Sequence, residues 1–103
     1  MKIRPDIDVD TQALAAFCRR HAIRRLALFG SALGNDFGPQ SDIDLLVEFD
    51  RSRIPGLLKV AAMELELAEL FGGREVDLRT AADLSPHFRD DVQSRALPLY
   101  AAA

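Results

Sequence analysis

The sequence predicts one domain of the α/β or α+β class, built from helices that alternate with short strands. Three observations predict this class. The chain has 103 residues, of which 49% are hydrophobic, and this is enough for one core. Segments with apolar residues at helical spacing alternate with short aliphatic segments. No internal repeat, linker or low-complexity run divides the sequence, so we expect a single domain over residues 1–103.

The first predicted element is a helix that ends near Ala22, and either Asp10 or Thr11 can cap its start with a side-chain oxygen. Its buried face is predicted from three apolar residues at helical spacing: Leu14, Phe17 and Cys18.

Three short aliphatic segments predict strands, over residues 25–29 (RLALF), 42–49 (DIDLLVEF) and 75–79 (EVDLR). Gly30-Ser31 follows the first of them directly. We expect this pair to end the strand and to start a helical turn.

Two further helices are predicted in the second half of the chain. Pro55-Gly56 opens the first, which runs to about Phe71, where the glycine pair that follows closes it. The second begins at Ala81 or Ser85 and ends near Arg95.

The composition excludes several classes of protein. The formal net charge of -3 gives no general attraction to nucleic acid or to anionic lipid. No apolar run approaches the ~20 residues that cross a membrane, and the N-terminal MKIRPDIDVD lacks the apolar segment of a signal peptide. The single Cys18 excludes an internal disulfide and a cysteine-based zinc site. We therefore expect a cytoplasmic protein with neither a membrane nor nucleic acid as a direct partner.

Two of the predicted strands carry acids on one face only. Side chains alternate between the two faces of a strand, so DIDLLVEF places its aliphatic residues on one face and Asp42 and Asp44 on the other. In EVDLR the same alternation separates the aliphatic face from Asp77. Neighbouring strands lie about 4.8 Å apart, and alternate residues of one strand about 6.5 Å. If these strands are neighbours, the three carboxylates converge above the sheet.

Three converging carboxylates repel one another, and a divalent cation removes that cost. Two unit charges 4 Å apart cost about 4 kcal/mol at an effective dielectric of 20. Mg²⁺ prefers hard oxygen ligands and substrate phosphates, and a pair of such ions can activate an attacking oxygen and hold a leaving pyrophosphate. The acids therefore suit phosphate chemistry. The alternative is that Asp42 and Asp44 face solvent from a half-exposed strand.

Gly30-Ser31 precedes the acids by ten residues, which gives the pattern GS-x10-DxD. Glycine lets the backbone approach a ligand closely, and free amides at the start of a helical turn attract phosphate. A lone Gly-Ser is typical of a turn that ends a strand. Its combination with DxD and with a third acid on a later strand is much more specific.

Four segments together, LALFGS, SDIDLLVEF, PGLLKVAAMELELAELFG and GREVDL, resemble the minimal nucleotidyltransferases of the DNA polymerase β-like nucleotidyltransferase superfamily. The resemblance implies a small mixed β-sheet of three to four strands flanked by helices. It implies that Gly30 and Ser31 bind the triphosphate of a nucleotide. It also implies that Asp42, Asp44 and Asp77 are catalytic and hold Mg²⁺, two ions in all, with Asp77 deprotonating the acceptor hydroxyl.

Many small proteins of this family resemble antitoxins encoded beside a HEPN-type ribonuclease toxin. The resemblance thus implies transfer of AMP from ATP to a tyrosine of such a toxin, within a hetero-oligomer. One departure is that this chain has Gly34 where the family often has a basic residue. Two alternatives are a non-catalytic antitoxin that masks its toxin, and a nucleotidyltransferase that acts on RNA or on a small molecule.

Overall fold

The computed structural model describes residues 1–34, 37–38 and 41–102, which build a four-stranded sheet, three helices and a small hairpin. The regular elements, in chain order, are β1 (Lys2–Arg4), β2 (Ile7–Asp8), α1 (Thr11–Arg20), β3 (Ile23–Phe29), β4 (Ile43–Phe49), α2 (Leu57–Leu70), β5 (Val76–Arg79), α3 (Arg89–Arg95) and β6 (Leu97–Ala101). Short 3-10 turns cover Gly30–Leu33 and Ala81–Asp83.

The main sheet has the strand order β5-β4-β3-β6. β4 pairs with β5 in parallel, whereas β3 is antiparallel to both β4 and β6. β1 and β2 form a separate antiparallel hairpin. The predicted mixed sheet of three to four strands flanked by helices is therefore confirmed, with four strands.

The core lies between the inner face of this sheet and the apolar faces of α1 and α2. The alternation predicted for β4 is observed, since Ile43 and Leu45 are fully buried while Asp44 between them is half-buried. The helices contribute Leu14, Phe17 and Cys18 from α1 and Met63 and Leu67 from α2. Each fully buried large aliphatic side chain stabilises the fold by roughly 1.5–3 kcal/mol. The inner face thus holds the sheet to the helices and leaves the outer face free.

The helix ends follow the predicted signals. Asp10 caps α1, because its Oδ1 accepts hydrogen bonds from the amides of Gln12 (2.9 Å) and Ala13 (3.2 Å). After α2 the chain turns through Gly72 and Gly73, whose φ angles are +74° and +87°. None of the helices in the described parts of the chain is long and apolar enough to cross a membrane.

The sequence analysis missed the hairpin and β6, and it placed the start of the last helix too early. α3 begins at Arg89, and the segment before it contains the 3-10 turn at Ala81–Asp83 and a second turn at residues 86–88. Pro86 separates the 3-10 turn from α3, because proline lacks the amide that a continuous helix needs there. β6 (LPLYA) was obscured by Pro98, which is tolerated because β6 is an edge strand.

Candidate active site

Two of the three predicted acids lie directly opposite each other on the outer face of the sheet. β4 and β5 run parallel, and their register pairs Ile43 with Val76 and Asp44 with Asp77. Asp42 precedes β4 by one residue and points to the same side by alternation, and it is half-buried. Both strands place their aliphatic residues inward, so the carboxylates have only the outer face available.

The pKa of Asp44 reports how close these acids are. Partial burial raises the pKa of this carboxyl above its ordinary value, and the negative charges of Asp77 and then Asp42 raise it further. The Arg79 guanidinium and a backbone hydrogen bond from Ser31 act in the opposite direction on the same pKa. Asp44 therefore lies close enough to Asp77 and Asp42 for their negative charges to disfavour its ionised form.

Gly30 meets Asp44 at the end of β3. Phe29 pairs with Asp44 across β3 and β4, and the chain then turns at Gly30 with a φ of +77°. A Cβ atom on residue 30 would lie 2.3 Å from Oδ2 of Asp44, which is closer than atoms can approach. Glycine is therefore required here both by the backbone conformation and by the carboxylate. Gly30-Ser31 and the acids, ten residues apart in sequence, are thus neighbours in space.

The acids suit a divalent cation by their chemistry, because they are hard oxygen donors that repel one another without one. Within residues 1–34, 37–38 and 41–102, however, no three acidic, histidine or cysteine side chains are already gathered as metal ligands. The strand register places Asp44 opposite Asp77 with Asp42 nearby, but the side chains are not closed around one point. The carboxylates thus have the chemistry that a divalent cation needs, but in the described residues they do not form a closed site of three ligands.

The outer face continues beyond the acids as an apolar groove. The next register positions are Ala27, Leu46 and Arg79, one row further along the sheet than Asp44. Ala27 and Leu46 belong to the floor of a cavity of about 950 Å³, whose wall includes Ala96 at the end of α3. A substrate bound at the carboxylates thus has an apolar surface next to it.

A second, smaller cavity of about 460 Å³ lies at the other side of Asp42, where Asp6, Arg74 and Glu75 contribute to its walls. Arg74 also bonds to the loop before Asp42, and Arg4 bonds to the loop after Ser31. The sequence analysis missed both arginines. No local pattern marks them, because they lie far from the loop in sequence.

A profile of the nucleotidyltransferase domain matches residues 11–99. A candidate protein adenylyltransferase of Methanocaldococcus jannaschii is 35% identical over 78 residues, which cover 76% of this chain and 81% of that protein. The protein adenylyltransferase MntA of Thermococcus cleftensis is 41% identical over 59 residues, 57% of each chain.

Solved structures of other proteins share this fold. A candidate minimal nucleotidyltransferase superposes with a TM-score of 0.68 at 36% identity, over 85% of this chain and 87% of that one. A toxin–antitoxin structure with AMP-PNP superposes with a TM-score of 0.70 at 19% identity, over 91% and 75% of the two chains. The second similarity concerns the fold alone. Together they confirm the fold class that the sequence predicted.

Proposed function

The chain belongs to the nucleotidyltransferase domain family, of the minimal type, and on that premise we propose that it transfers AMP from ATP to a hydroxyl of a partner protein. The observation that carries the proposal is the close approach of Gly30 to the carboxylate of Asp44. Asp44 in turn lies opposite Asp77 in the sheet. A backbone turn that begins at Gly30 then stands beside neighbouring carboxylates. This is the combination that a nucleoside triphosphate and its cations require.

Asp42, Asp44 and Asp77 would hold Mg²⁺, two ions in all, which supply positive charge to the phosphates and activate the attacking oxygen. The chain's own groups do the rest. Gly30 allows the backbone to approach the triphosphate, and Ser31 would offer its hydroxyl. The acceptor oxygen attacks the α-phosphorus, the bond from that phosphorus to the pyrophosphate oxygen breaks, and the hydroxyl proton passes to the Asp77 carboxylate.

The acceptor that we propose is a tyrosine of a HEPN-type toxin, bound in a hetero-oligomer that this chain silences as an antitoxin. Relatives carry the name protein adenylyltransferase, and proteins of the same fold have been solved as toxin–antitoxin complexes. The groove beside Leu46 gives the acceptor segment an apolar surface next to the acids. Since ATP is the donor, we place the reaction in the cytoplasm.

The test is transfer of label from ATP carrying it at the α-phosphate. Purified protein with Mg²⁺ is added to a lysate of the source cells, and labelled products are separated on a gel. We expect one labelled protein band with wild type and none with Asp42→Asn. Asp90→Asn serves as the matched control, because Asp90 is exposed in the first turn of α3 and should leave labelling unchanged.

The other outcomes identify the alternatives. Label that enters only RNA or a small molecule assigns a different acceptor. If no protein is labelled while Asp42→Asn still protects cells from the cognate toxin, the chain neutralises its partner by masking alone.

A further inference from the structure

The loop that joins Gly30-Ser31 to Asp42 is bonded near its start by an arginine from β1. The Nη1 atom of Arg4 donates to the carbonyl oxygen of Ala32 at 2.8 Å and to that of Gly34 at 3.1 Å. Arg4 lies 28 and 30 residues away from these partners in sequence. The hairpin thus fixes the backbone just after Ser31.

The end of the same loop is bonded by a second arginine, which follows the turn after α2. The Nη1 atom of Arg74 donates to the carbonyl oxygens of Gly38 (2.9 Å) and Ser41 (3.3 Å). Its Nη2 atom donates to Oδ2 of Asp6 in the hairpin at 2.6 Å. The Arg74 side chain is only 13% exposed, and its bonds to the two carbonyls are partly buried, whereas the Asp6 carboxylate is 50% exposed. The bonded carbonyl of Ser41 belongs to the peptide that leads into Asp42.

The Phe37 ring contacts both arginines. The guanidinium carbon of Arg4 is 4.9 Å from the centre of the Phe37 ring, and that of Arg74 is 4.5 Å away. Both distances are within the range of a cation–π contact. Arg4, Phe37 and Arg74, which we name the arginine clamp, therefore tie the middle of the loop to both of its ends.

We propose that the arginine clamp positions the two halves of the active site, the Gly30-Ser31 turn and Asp42, relative to each other. This inference rests on the proposed nucleotidyl transfer. Arg4 and Arg74 are positioning residues, since their bonds go to backbone carbonyls and to an aspartate.

The expected effect falls on turnover more than on nucleotide affinity. Reacting groups that are misplaced by about 1 Å lose roughly 100-fold in rate. Glutamine in place of Arg74 keeps a polar side chain. It loses the guanidinium group, whose two terminal nitrogens bond the loop carbonyls and Asp6 simultaneously. We expect Arg74→Gln to lower the maximal rate of label transfer by about 10- to 100-fold, with the KM for ATP within about threefold of wild type.

Arg89→Gln is the matched control. Arg89 also donates to two backbone carbonyls, those of Ala81 (2.7 Å) and Leu84 (3.1 Å), but it fixes the segment before α3. Its loss removes the same kind of bond without touching the loop. We expect its transfer rate to match that of wild type.

A second readout does not depend on transfer. Amide chemical shifts of Ser31 and Asp42 in the nucleotide-free protein should move in Arg74→Gln and stay in place in Arg89→Gln. If Arg74→Gln fails to fold by circular dichroism, Phe37→Leu replaces it, since leucine keeps apolar bulk but offers no ring face to the guanidinium groups.

The outcomes separate the two proposals. If Arg74→Gln folds and transfers label at the same rate as wild type, the positioning role is overturned. Unchanged amide shifts at Asp42 overturn it as well. If wild type transfers no label at all, the proposed function fails, and the amide shifts alone then decide whether the clamp sets the position of Asp42.

Discussion

The two faces of β4 differ in both burial and charge. Ile43, Leu45 and Val47 point inward and are almost completely buried. Asp44, which lies between two of them, points outward, and the pKa of its carboxyl is raised by burial and by two neighbouring acids. Residues one position apart thus serve stability on one face and the candidate chemistry on the other. Substitutions on each face should separate the two contributions.

The largest effect is expected on the inner face. Leu45→Ala removes a fully buried side chain and leaves a cavity, so the free energy of unfolding should fall by about 2–5 kcal/mol. Leu46→Ala is the matched control, since Leu46 is only half-buried on the outer face, and its loss should be clearly smaller. Urea unfolding measures both. Equal losses for the two leucines would show that the two faces contribute equally to the free energy of unfolding.

The next effect is expected on the outer face and in activity alone. Asp44→Asn keeps the shape of the side chain but removes the charge that would hold the cations. We expect label transfer to fall at least about 100-fold, with no loss in the midpoint of urea unfolding. Glu48→Gln is the control, because Glu48 is exposed on the same face and pairs with Arg24 at 3.8 Å instead. A comparable fall in Glu48→Gln would mean that general surface charge, and not the site, is responsible.

A smaller effect is expected at the turn where the outer face meets β3. Gly30→Ala puts a methyl group against Asp44 and imposes a positive φ on alanine. We expect a loss of about 1–3 kcal/mol in the free energy of unfolding together with a fall in transfer. Gly72→Ala imposes a similar φ but meets no atom within 4 Å, so only the cost of the backbone conformation remains. Unfolding and transfer assays on both variants separate strain from loss of the site.

The smallest effect is the pH dependence of stability that Asp44 contributes. Because the folded-state pKa of Asp44 is raised, the folded protein binds this proton more tightly than the unfolded chain does. Stability from this group is present below its ordinary pKa and is lost as the pH rises through the raised one. The pKa values of Asp50 and Asp83 are lowered by bonds from Ser52 and Thr80, so they contribute with the opposite sign.

Urea midpoints of wild type and Asp44→Asn, measured across the acidic range, isolate the contribution of Asp44. The difference between the two proteins should grow in favour of Asp44→Asn as the pH rises. A difference that does not change with pH would mean that Asp44 does not titrate abnormally.

Sequence periodicity predicted both strands that carry the acids, because alternation in DIDLLVEF and EVDLR assigns every side chain to a face. It also predicted which residues form the inner face. The pairing of Asp44 with Asp77 depended on the two strands being neighbours, which no local pattern states. The contact between Gly30 and Asp44 likewise became visible only in three dimensions.

The parts that escaped prediction are those held by distant contacts. Arg74 reaches Asp6 across 68 residues, and although Arg74 lies in the segment GREVDL, nothing in that segment marks Asp6 as its partner. β1 and β2 have three and two residues, which are too short for a periodic signal. Distant contacts therefore determine how the loop between Ser31 and Asp42 is held, whereas local patterning determines the strands beneath it.

The burial of Cys18 on α1 makes the protein convenient for site-specific chemical labelling. Burial raises the pKa of this thiol to about 12, so at neutral pH it remains protonated, and it has no exposed surface. It is also the only cysteine in the sequence. A maleimide dye or spin label should therefore react with a cysteine introduced on the surface and leave the native one untouched. Distance measurements between this chain and a partner can then start from the natural sequence, without first removing a thiol from the core.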